Sequence, residues 1–151
     1  MLGRKIETEL GPVRLALIYL CSLLAGSAFV LAFNFNSPTL GASGGVLGLA
    51  GGIAGWSIFL KRPLNEIPML SLIALNLALP LIAPSVGLPS ISFWGHLGGI
   101  VGGCIAGWLL IAISVTYKNK ILANSVVAIV CVGWFVIAVV IARSGGVFEL
   151  L

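Results

Sequence analysis

Two side chains in this sequence have the chemistry of a nucleophile and its base. Ser43 stands in Leu40-Gly41-Ala42-Ser43-Gly44-Gly45. His96, the single histidine, stands in Phe93-Trp94-Gly95-His96-Leu97-Gly98-Gly99. A serine hydroxyl attacks poorly until a base accepts its proton. A neutral imidazole can serve as that base near pH 7. Each residue opens an apolar stretch long enough to cross a bilayer, where polar groups are costly unless paired or used.

The remaining chemistry of the chain narrows the mechanism. There is no Asp, and the four acids are Glu7, Glu9, Glu66 and Glu149, all outside the apolar runs. A serine hydrolase ordinarily adds a carboxylate to orient the histidine. With none at membrane depth, a hydrolase built here is a Ser–His dyad whose ring is oriented by packing or by backbone groups. The same shortage excludes an aspartyl dyad and a multi-ligand metal site, so neither metal nor cofactor is expected. Oxyanion donors are expected from the backbone at a helix N-terminus beside Ser43. Gly41 and Gly44 allow close substrate approach there. The plainer readings are a Ser43 that caps a helix and a His96 that is a structural residue.

The elements that position the pair follow from composition. The 151 residues are 60% hydrophobic and 8% charged, against about 25% charge in a soluble domain. The mean hydropathy is +1.19. The chain therefore reads as an all-α membrane protein, a polytopic bundle of about five transmembrane helices. The apolar segments lie at 15–33, 44–60, 67–84, 96–115 and 121–142. In lipid each must be a helix, because unpaired backbone groups find no water there. The polar stretch from Met1 to Arg14 has no cleavable signal pattern. No basic face with interleaved aromatics marks a nucleic-acid partner. Cys21, Cys104 and Cys131 are far apart and read as packing residues.

Charge sets the orientation. Alternating spans place Arg4, Lys5, Arg14, Lys61, Arg62, Lys118 and Lys120 on one side and Arg143 on the other. The positive-inside rule puts the seven, and the N-terminus, in the cytoplasm. The helices that begin near Ser43 and His96 then run the same way, with both residues near the outer surface. Glycines recur every four residues in both: Gly44, Gly48 and Gly52 in one, Gly95, Gly99, Gly103 and Gly107 in the other. Such small-residue stripes let helices approach closely in lipid. Asn76, in the middle of the third span, is expected to bond a neighbouring helix. Pro80 and Pro84 are expected to kink or end that span.

These residues carry a family resemblance. Gly41-Ala42-Ser43-Gly44 resembles the GxSG motif of the rhomboid intramembrane serine proteases. His96, Gly99 and Gly103 are similar to that family's H-x-x-G-x-x-x-G pattern on its last core helix. Gly3-Arg4-Lys5-Ile6-Glu7 and Gly11-Pro12-Val13-Arg14 resemble its turn before the third core helix. The resemblance covers about residues 3–115. It implies Ser43 as nucleophile, His96 as general base, and Gly41, Gly44, Gly99 and Gly103 as close-packing positions. The implied substrates are transmembrane segments of other proteins.

The chain also departs from that pattern. Leu47 stands where the family often has an aromatic residue. Nothing here matches the family's first two core helices, whose second supplies His and Asn to the oxyanion hole. The chain is thus expected to be a C-terminal portion, with a partial core over 1–120 and an added helix and tail over 121–151. The resemblance implies a multi-pass protein of a bacterial-type plasma membrane. The alternative is a truncated, inactive relative that binds transmembrane helices; a small transporter would need a polar path the spans do not offer.

Overall fold

Apolar runs that cannot leave their backbone groups unpaired in lipid become helices, and the architecture follows from how those helices pack. The computed structural model describes residues 2–35, 42–62, 70–82 and 92–145. These form six α-helices and no strand: α1 (Leu2–Leu10), α2 (Pro12–Phe33), α3 (Ser43–Phe59), α4 (Leu70–Ile82), α5 (Phe93–Thr116) and α6 (Lys120–Arg143). Helices α2, α5 and α6 are long and apolar enough to cross a membrane, whereas α3 and α4 are shorter. The five apolar segments thus appear as α2 to α6. Parts of the third, 67–69 and 83–84, lie outside the described residues.

The first helix departs from the expectation of a polar, loop-like start. Leu2, Ile6 and Leu10 recur every four residues, so a helix gathers them on one face. Ile6 is fully buried, and Leu2 and Leu10 pack against the same core. Gly11 then adopts φ 89°, a conformation side chains disfavour, and Pro12 starts α2.

The centre of the bundle is a trio in which α5 lies between α2 and α3. Helix α6 packs on α2 and α5, α4 on α5, and α1 on α2 and α3. The core joins Ile6 and Ile18 to Leu49 and Ile53, to Ala106 and Leu110, and to Ala123 and Val127. Ile121, Ile129, Val132, Phe135 and Val140 of α6 point outward, as a lipid-facing stripe should.

Glycine makes the α3–α5 contact as close as it is. A Cβ on Gly99 would strike the Gly44 carbonyl, one on Gly103 the Gly48 carbonyl, and one on Gly107 the Gly52 carbonyl. In the other direction, a Cβ on Gly48 would stand 2.6 Å from Gly99 O. The two backbones interlock over more than three turns. On the opposite side of α5, Gly98 and Gly102 leave room for Phe29 and Ala25 of α2.

Helix α6 is tied to α2 along its length. Arg14, expected from sequence to be a surface charge before the first span, lies within α2 and is buried. Its Nε donates to Asn124 Oδ1 at 3.1 Å and its Nη2 to Ser114 Oγ at 2.6 Å. Higher up, Cys131 Sγ lies 3.8 Å from Leu17 O, and Trp134 packs on Phe29 with ring centroids 6.2 Å apart.

Candidate active site

Ser43 is the first residue of α3. The residue before it, Ala42, occupies the capping position without a side-chain bond. Ser43 Oγ is therefore not spent on capping its own helix and instead lies 3.0 Å from His96 Nε2. Ser43 is an exposed residue, whereas His96 is 4% exposed. An accessible nucleophile beside a sheltered base is the arrangement acyl transfer needs.

The start of α5 is held differently. Ser92 caps it, its hydroxyl accepting from Gly95 N at 3.0 Å. His96 then sits in the first turn of α5, level with Ser43 in the first turn of α3. Gly44 sets their separation. A Cβ there would stand 2.8 Å from Gly95 O, so a side chain would push the two helix starts apart. Gly26 of α2 makes the same allowance from the other side, 2.9 Å from that carbonyl. Phe33 stacks on Trp94 at 4.3 Å between ring centroids, bracing this end of α5 against α2.

Of the other residues singled out in the sequence, Gly44, Gly99 and Gly103 lie in the α3–α5 contact. Gly41 lies outside the described residues. Leu47 is buried. Cys21, Cys104 and Cys131 are free thiols away from the Ser43–His96 pair. Among the described residues, no three His, Cys, Asp or Glu side chains gather to hold a metal.

The ring of His96 is oriented by a group that residue types alone do not reveal. Its Nδ1 lies 2.9 Å from the main-chain carbonyl of Asn76 on α4. A carbonyl can only accept, so Nδ1 carries the proton and Nε2 presents its lone pair to Ser43. Proton transfer from Oγ to Nε2 is the chemistry this geometry supports. Ser43, Gly44 and Gly45 form the first turn of α3, whose N–H groups have no acceptor within the helix. They supply donors and a positive dipole end beside the hydroxyl.

Comparison with known proteins identifies the family. The family model described as Rhomboid domain matches residues 1–113. RHOMBOID-like protein 4 of Arabidopsis thaliana is 30% identical over 115 residues, 73% of this chain and 28% of that protein. RHOMBOID-like protein 6, mitochondrial, of the same plant is 33% identical over 114 residues, 72% of this chain and 35% of that protein. RHOMBOID-like protein 2 is 34% identical over 115 residues, 73% of this chain and 34% of that protein. The chain thus spans about a third of the length of the curated relatives it matches. Those relatives are plant proteins and lend nothing to a bacterial-type plasma membrane. No solved structure matches the chain significantly. From its apolar helices, its interlocked glycines and the match over residues 1–113, the chain is an integral membrane protein of the rhomboid family.

Proposed function

We propose that this chain carries the catalytic dyad of an intramembrane serine endopeptidase, with Ser43 as nucleophile and His96 as general base. The observation that supports it most is the 3.0 Å hydrogen bond between Ser43 Oγ and His96 Nε2, with Ser43 exposed. In this reading Ser43 Oγ attacks the carbonyl carbon of a peptide bond in a transmembrane segment of another protein. His96 Nε2 takes the hydroxyl proton and returns it to the leaving amine. The first-turn amides of α3 stabilise the oxyanion. Water then releases the acyl group, with His96 again as base.

In this reading the helix packing has supporting roles. Gly44, Gly99 and Gly103 hold α3 and α5 close enough for the dyad to form. Residues 1–120 form a partial rhomboid-like core in this reading, and 121–151 carry an added helix. The seven-to-one charge split supports an N-terminus in the cytoplasm and a dyad toward the outer surface.

The test is reaction of the bilayer-reconstituted chain with a serine-directed fluorophosphonate, together with cleavage of a transmembrane substrate. Labelling at Ser43, lost in Ser43→Ala and His96→Ala, supports the dyad. Cleavage that persists in Ser43→Ala overturns it. A folded chain that neither labels nor cleaves is instead a non-catalytic relative that binds transmembrane helices.

A further inference from the structure

The acceptor that orients His96 coincides with a feature of α4 that composition alone makes puzzling. Pro80 lies inside this helix and is buried. Proline has no N–H and makes no bond to the carbonyl four residues earlier. That carbonyl belongs to Asn76, and it is the group 2.9 Å from His96 Nδ1. Any other residue at position 80 would aim a helical N–H at the same oxygen.

We propose that Pro80 is a positioning residue: by withholding a helical donor from Asn76 O, it makes that carbonyl the acceptor that holds His96 as the Nδ1–H tautomer. The neutral ring has one protonated and one bare nitrogen. Fixing the proton on Nδ1 leaves Nε2 bare toward Ser43 Oγ. The orienting role a carboxylate plays in soluble serine proteases is thus filled here by a main-chain oxygen, in a span that has no acid. No side-chain substitution at position 76 removes that oxygen, whereas one at position 80 changes its donors. Helix α4 packs chiefly on α5 among the described helices, so the tautomer depends on α4 staying docked. The functional meaning of this arrangement rests on the dyad proposed above; the tautomer itself does not.

Because His96 is the single histidine, its ring nitrogens are readable without ambiguity. The experiment is nitrogen-15 NMR of histidine-labelled protein in bilayers, with the ring neutral, for wild type and Pro80→Ala. Wild type is expected to show a protonated Nδ1 and a bare Nε2. Pro80→Ala is expected to move population to the Nε2–H form and to slow fluorophosphonate labelling of Ser43 about tenfold, the effect of losing one ordinary hydrogen bond. A wild-type spectrum with Nε2 protonated overturns the proposal, whether or not the variant folds. So does a folded Pro80→Ala protein with an unshifted spectrum. If the spectra behave as expected but wild-type Ser43 never reacts, the protease reading fails and the positioning by Pro80 stands.

Discussion

Gly103 of α5 lies against the main-chain carbonyl of Gly48 of α3, with no room for a side chain between them. Ser22 of α2 closes the same point, its Oγ 2.8 Å from where a Gly103 Cβ would stand. Three helices therefore meet at one glycine, two turns below the Ser43–His96 pair.

Gly103→Val is expected to force α3 and α5 apart. Overpacking of this kind costs about 1–3 kcal/mol, and here the obstacle is backbone that cannot rotate away. Unfolding in detergent, followed by circular dichroism, should show the loss. Gly133 of α6 has nothing within 4 Å of a built Cβ and serves as the control. Gly133→Ala should unfold no earlier than wild type, since alanine is favoured over glycine in a helix by about 1 kcal/mol. Equal behaviour of the two variants would contradict the interlocked packing.

Gly44→Ala tests the link between packing and the dyad. The added methyl presses on Gly95 O at the start of α5. A displacement of even one ångström lengthens the Ser43–His96 bond beyond useful reach. The labelling rate with a fluorophosphonate should fall by about 10-fold or more. An unchanged rate in a folded protein would show that Gly44 does not set the separation.

The clasp at the other end of the bundle predicts a different outcome. Asn124→Leu removes the acceptor of Arg14 Nε, leaving a buried guanidinium N–H without that partner. The cost is about 1–3 kcal/mol. It should appear as earlier unfolding and as faster proteolysis near α6, with Ser43 labelling retained in the folded fraction. A variant as stable as wild type would mean that the clasp contributes nothing to docking α6.

Trp134 offers a substitution expected to be harmless. Its Nε1 is buried and has no hydrogen-bond partner among the described residues, while its ring packs on Phe29. Trp134→Phe keeps an aromatic contact and removes an unmet donor. Stability should stay level or rise by about 1 kcal/mol. A marked loss in the unfolding midpoint would reveal a partner for that N–H.

The legible parts of this fold are those that residue type encodes directly. Long apolar runs gave α2, α5 and α6 their extents, and the four-residue glycine spacing encodes the α3–α5 contact. Helix α1 was hidden because Arg4, Lys5, Glu7 and Glu9 dominate its composition, while its order depends on three aliphatic residues one turn apart. Arg14 was read as a loop charge because a cation is costly in a span. Its two neutral partners, Ser114 and Asn124, are at least 100 positions away and cannot be paired with it by inspection. The Asn76 contact was legible only in part: a bond to a neighbouring helix was expected, but not that the main-chain oxygen makes it. Main-chain carbonyls carry no residue signature, and the proline four positions on is the one trace it leaves.

The length of α3 has a final consequence. Its 17 residues rise ~26 Å, against ~36 Å for the 24 of α5. The two start level, bound through Ser43 and His96, so α3 stops short at its far end. Lys61 and Arg62 follow there, with the Arg62 guanidinium 5.8 Å from the centre of the Trp56 ring. Lipid hydrocarbon is ~30 Å thick, so α3 is several ångströms too short to span it. Such hydrophobic mismatch is relieved by local thinning of the bilayer. The bilayer beside α3 is thus expected to be thinner than beside α5, at the end that Lys61 and Arg62 close.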